Sequence, residues 1–134
     1  MKQTIVGLIG AIILLAIAFM PSVIAAAEES ESIHIGEHLL ILLAGVALAF
    51  AVQPVIRHYL AGYLHHSGWG TGIAALGLLL LVVVESPAVD ALAETAIVLH
   101  MVQHLMVLIS GGLIGTGLLT LASGSTHTTV PRAR

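Results

Sequence analysis

Eight histidines stand against only four lysines and arginines in this chain of 134 residues, and four of the eight fall in two pairs. His34 and His38 are separated by one helical turn, and so are His100 and His104. Residues at i and i+4 of a helix lie one above the other on the same face. Each pair is therefore a two-nitrogen clamp suited to a metal ion. The chain has no cysteine, which removes disulfides, thiolate-bound zinc, iron–sulfur clusters and a thiolate nucleophile from consideration. Imidazole suits copper, zinc and iron, and thioether favours cuprous copper. Met101 and Met106 lie in the same stretch as the second pair. Copper is accordingly the first-ranked cofactor, haem iron the second and zinc the third. Haem would take one histidine from each of two helices and use half of the set. Glu37 and Glu85 are candidates to bond the ring nitrogens that face away from an ion. Against this stands a structural reading, in which each histidine bonds separately to a neighbouring helix or subunit. His58, His65, His66 and His127 fall in connecting or tail sequence and are read as solvent or headgroup contacts.

The elements that must carry these pairs are transmembrane helices. Hydrophobic residues make up 58% of the chain and charged ones 8%, where soluble domains average roughly 25% charged. Mean hydropathy is +1.10. Four apolar runs follow one another: 5–27, 38–56, 71–84 with a possible extension to Val89, and 91–122. A bilayer crossing needs about 20 residues, so the expected fold is all-α, a membrane helical bundle of four spans. The first run also reads as a secretory signal, with Lys2 before it, a break at Pro21 and small residues at Ala25-Ala26-Ala27. If it is cleaved, three spans remain. The expected organisation is a signal-like segment 1–27, a three-helix membrane domain 28–122 and a polar cytoplasmic tail 123–134.

Charge sets the expected orientation. Basic residues favour the cytoplasmic side. With the N-terminus inside, Lys2, Arg57, Arg132 and Arg134 all fall inside, and Glu28, Glu29, Glu31, Glu37, Glu85, Asp90 and Glu94 all fall outside. The second and fourth runs then both descend from the outer face. His38 and His104 lie equally far from the inner ends of those runs, so the four rings are expected to converge near the outer face. Beyond these two His pairs, no internal repeat is read from the chain. Gly111 and Gly115 form a G-x-x-x-G pair, which lets helix backbones approach closely.

The stretch His100-Met101-Val102-Gln103-His104-Leu105-Met106 resembles the His-rich helix of caa-type cytochrome oxidase assembly factors. It is also similar to a small archaeal membrane family with paired-histidine helices, and Glu37-His38-Leu39-Leu40 fits the same style. The resemblance implies His-rich helices that handle copper or serve an oxidase-like complex. It carries to His100, His104 and His38.

Several functions are excluded or ranked low. Lysine and arginine are scattered singly, so nucleic acid is not an expected partner. There is no nucleotide motif, no Ser/His/Asp set and no inward carboxylate pair, so no catalytic residue is assigned and no enzyme acting alone is expected. The first expectation is a small membrane accessory subunit or assembly factor of a larger copper or haem respiratory complex. Its partners would be membrane lipid and other membrane subunits. The second is a non-catalytic structural subunit of an oxidase or a membrane copper monooxygenase, with no metal of its own.

Overall fold

Two prolines divide the apolar runs. A residue before proline is pushed out of the helical region, and proline itself is well suited to start a helix. Met20, before Pro21, has φ −66° and ψ 134°. Ser86, before Pro87, has φ −73° and ψ 145°. The computed structural model, which describes residues 2–64 and 68–124, accordingly contains two bent helix pairs. Helix α1 (Lys2–Ala18) bends by 54° into α2 (Pro21–Glu29). Helix α4 (Trp69–Val84) bends by 60° into α5 (Pro87–Ala93). Each pair leads into a long helix, α3 (Glu31–Leu64) or α6 (Ile97–Gly124).

All regular structure among the described residues is helical. Two helices are long and apolar enough to cross a membrane, over Glu31–Ile56 and Ile97–Ser123, and up to four spans result if each bent pair is one span. The third run ends at Val84, as expected, and turns at Pro87 without the extension to Val89. The boundaries differ from the expected runs in two places. The fourth run does not start at Ala91: that residue belongs to α5, and the chain breaks again before Ile97. Helix α3 continues past Arg57, through Pro54, to Leu64. One arginine at a helix end does not interrupt backbone hydrogen bonding, so a charge marks a span's end without marking the helix's end. The tail expected over 123–134 begins inside α6, and residues 125–134, with His127, lie outside the described residues, as do His65 and His66.

The main packed pairs are α1 with α3, α3 with α6, and α6 with α4. The long helices are thus central, in the order α1, α3, α6, α4. Their apolar side chains point outward as well as inward: Leu78, Leu79, Val82 and Val83 on α4 are all at least half exposed. Helices apolar all round belong in lipid or in a larger apolar assembly.

The order bent pair, long helix, bent pair, long helix exposes a repeat that the sequence alone did not yield. Pro21 and Pro87, Glu28 and Glu94, His34 and His100, His38 and His104, Leu42 and Leu108, and Gly45 and Gly111 are all separated by the same number of residues. Burial follows the same register. The core cluster of Ala18, Ile41, Val84 and Val107 consists of two such pairs, and Ala44 and Ser110 form a third. Leucine-rich runs match one another in any register, so it is the prolines at the helix breaks, together with the histidines, that fix the alignment.

The contact between α3 and α6 is reciprocal across these equivalent residues. A Cβ added at Gly45 would run into the Leu108 carbonyl oxygen, and one at Gly111 into that of Leu42. Such self-complementary contacts define a two-fold relation, here between the two halves of one chain. Gly115 lies on the same seam, where a Cβ would meet Ala49 Cβ at 2.9 Å and Val46 Cα at 3.1 Å. Because Gly45 and Gly111 are equivalent, Gly45→Leu and Gly111→Leu should destabilise the protein to a similar degree, by about 1–3 kcal/mol or more as overpacking does. Gly36→Leu, at a site with nothing within 4 Å, should leave it unchanged. Thermal unfolding in detergent checks this; a mild effect at either glycine of the pair would refute the close approach.

Candidate functional site

The parallel course of α3 and α6 brings the four paired histidines into one cluster. Along α3, the ring centres of His34 and His38 are 4.5 Å apart; along α6, those of His100 and His104 are 4.4 Å apart. Across the interface, His34 faces His100 at 5.6 Å and His38 faces His104 at 5.1 Å. The inner pair is buried, with His38 and His104 each 4% exposed. His34 and His100 are half-buried, one turn nearer the end of the bundle that carries α2 and α5.

The two proline bends complete the walls. Phe19 and Glu85 occupy equivalent positions in the repeat, each two residues before its proline. Each reaches across to the histidine of the other half. The Phe19 ring packs edge-on against His104 at 5.7 Å. Glu85 bonds His38 Nδ1 through both carboxylate oxygens, at 2.9 and 3.1 Å. A carboxylate accepts, so Nδ1 carries a proton, and in the neutral ring Nε2 keeps its lone pair. That nitrogen is buried and has no hydrogen-bond partner.

Glu37 and Gln103 form a second equivalent pair of unlike chemistry, each 3% exposed. Glu37 places one carboxylate oxygen 3.8 Å from His104 Nε2 and the other 4.0 Å from His34 Nδ1, both too long for a hydrogen bond. Gln103 donates from Nε2 to the Val84 carbonyl at 3.3 Å and to Asp90 Oδ1 at 3.2 Å, tying α6 to the second bend. Asp90 also lies 3.7 Å from His34 Nε2. In the sequence Asp90 is one outward charge among several; its separation from Gln103 gives no helical register, and the two meet only because the chain bends between α4 and α6.

His38 Nε2 and both nitrogens of His104 are buried without partners, as is Gln103 Oε1. A buried polar group left unpaired costs about 1–3 kcal/mol, and four such atoms gather here. Four imidazoles around one ion, at nitrogen–metal lengths of about 2.0–2.1 Å, hold neighbouring ring centres about 5 Å apart. The observed sides of 4.4 to 5.6 Å bracket that spacing. The ring nitrogens are nevertheless not gathered on one point: no group of three or more His, Asp or Glu among the described residues is arranged to hold an ion as it stands. An ion bound here would require the rings to turn; no hydrogen bond holds the His104 ring, which packs against Phe19, His38 and His100.

The remaining residues singled out in the sequence lie outside the ring cluster. Met101 is 50% exposed on the outer side of α6. Met106 packs against the apolar core cluster. Glu94 is exposed at the end of α5. His58 stacks edge-on against Tyr59 on α3, away from the paired histidines in the chain. Gly111 and Gly115 are at the α3–α6 seam, below the rings.

No protein family, no curated protein and no solved structure matches this chain. The reading of the cluster therefore rests on its geometry.

The Glu85 bond predicts one tautomer for His38, with the proton on Nδ1. Nitrogen-15 spectra of ring-labelled protein in micelles should show that form alone in the wild type and a mixture in Glu85→Ala. A wild-type His38 protonated on Nε2 would contradict the assigned bond.

Proposed function

We propose that this chain is a small four-span membrane protein that holds a copper ion among His34, His38, His100 and His104. It would act as an accessory subunit or assembly factor of a larger oxidative or respiratory membrane complex. The observation that carries this reading is the convergence of four imidazoles, of which the two inner ones, His38 and His104, have buried nitrogens without partners. Ionisable residues inside a membrane span are costly and mark function. The resemblance of His100–Met106 to caa-type oxidase assembly factors supports the choice of copper and of the oxidase-like context.

An ion suits the site better than a haem. The rings already touch one another, and two turns further along, at about 10 Å, α3 and α6 meet backbone to backbone at Gly45 and Gly111. A flat macrocycle finds no slot between helices packed that closely. Zinc fits the same nitrogens and ranks behind copper by the general order of affinities.

In the proposed orientation both ends of the chain are cytoplasmic and the histidine cluster is towards the outer face, because every basic residue then lies inside. The chain's own contribution is to bind and orient the ion. Glu85 fixes the His38 ring, and Phe19 shields His104 from water.

Two measurements test this reading. Protein purified from its native membrane should carry copper, and His38→Ala or His104→Ala should each lose most of it while remaining folded. Copper-free wild-type protein would leave the structural-subunit alternative. Cysteines placed at Gln3 and Ser32 should label from the inner and outer sides respectively with an impermeant reagent. Labelling of both from one side would end the proposed topology.

A further inference from the structure

We infer that the cluster takes one divalent cation per chain, held on the two-fold relation between the repeats, and that the carboxylate of Glu37 selects the divalent state over cuprous copper. This deepens the proposed metal site and rests on it.

The first ground is charge. Glu37 is buried beside His104 and His34, Glu85 bonds His38, and Asp90 lies 3.7 Å from His34. Three carboxylates thus face four imidazoles, while the only basic residue at the start of the chain, Lys2, belongs to the opposite end of α1. Glu85 and Asp90 keep contact with solvent, at 37% and 46% exposed, but Glu37 is 3% exposed, and an isolated negative charge in an apolar interior is strongly disfavoured. A dication offsets more of it than a cuprous ion does.

The second ground is the donor set. Carboxylate and imidazole are hard or borderline ligands, and thioether is the soft one that favours cuprous copper. The methionines nearest in sequence are directed elsewhere: Met101 is half exposed and Met106 is in the apolar core. Met20, beside Phe19, is likewise 49% exposed.

The third ground is the way the repeat is broken. In a fully symmetric site the two halves would carry the same residues. Instead Glu37 stands opposite Gln103, and Glu85 opposite Phe19. Both departures put carboxylates around a single ring cluster and do not create a second one. One cluster with one set of counter-charges fits one ion.

The repeat also supplies the test. Glu37→Gln copies the residue that the other half already carries at the equivalent buried position, so the substitution is compatible with the fold, and thermal unfolding of the apo-protein verifies that. Full-length protein in detergent is stripped with a chelator. It is then titrated separately with zinc(II) and copper(II) in air, and with copper(I) under anaerobic reduction against a competing chelator. The wild type should bind one zinc(II) or one copper(II). Glu37→Gln should weaken both about 10–100-fold, the range seen when groups supporting metal ligands are removed, and should change copper(I) affinity by much less. Glu85→Gln should give the same ordering. Two dications per chain, or dication affinity indifferent to Glu37→Gln in a folded variant, overturns this inference and leaves the metal site standing. Tight copper(I) binding with no dication bound does the same. A chain that binds none of the three ions overturns both.

Discussion

The backbone contact between α3 and α6 fixes the place of every group in the histidine cluster. Gly45 and Gly111 have no side chain, so each helix can present a carbonyl to the other's glycine. Small residues at a helix crossing are the main means of close approach where lipid removes the hydrophobic drive between helices. Because the contact is reciprocal, it sets the axial register as well as the distance. The rings at His38 and His104 face each other because the glycines the same distance along both helices do. A bulkier residue at either glycine would separate the helices at the rings as well as at the seam.

The two halves of the chain share a framework and differ in what they place at its centre. Proline breaks both bent pairs at the same point, and each bend sends the residue two positions earlier towards the opposite histidine. One half sends Phe19 and the other Glu85. The framework demands a side chain there; its chemistry is free. The outcome is one ring, His38, held by a hydrogen-bonded carboxylate at its bend, and one ring, His104, that meets an aromatic edge at the equivalent place. Glu37 and Gln103 repeat the pattern, with the carboxylate free to face the rings and the amide committed to the α4–α5 bend. A symmetric scaffold thus carries an asymmetric charge distribution.

Much of this was legible in the sequence, and the physical reason is periodicity. The spacing within each His pair gives a helical face directly, and charge alternation orders the runs, so His34, His38, His100 and His104 were readable as a set. Glu85 was readable only as a candidate, because its direction depends on a bend of 60° that the sequence marks merely as Ser86-Pro87. The break before Ile97 is marked only by Glu94-Thr95, which a helix can also accommodate, between apolar stretches. Phe19 looked like one more apolar residue of the first span. The repeat was obscured because its identities are spread among interchangeable leucines, valines and alanines. Matching the separation of Pro21 and Pro87 to that of the histidines would have revealed it, and would have aligned Phe19 with Glu85 and Glu37 with Gln103.

The central claim is that four imidazoles share one ion between α3 and α6. X-ray absorption at the metal edge of loaded, full-length protein tests it most directly, since imidazole rings leave a distinct outer-shell scattering pattern. The account predicts a first shell of about four nitrogen or oxygen neighbours near 2.0–2.1 Å, with outer-shell scattering that requires at least three imidazoles and that falls in both His38→Ala and His104→Ala. A shell rich in oxygen with one imidazole or none, unchanged by those substitutions, would contradict it.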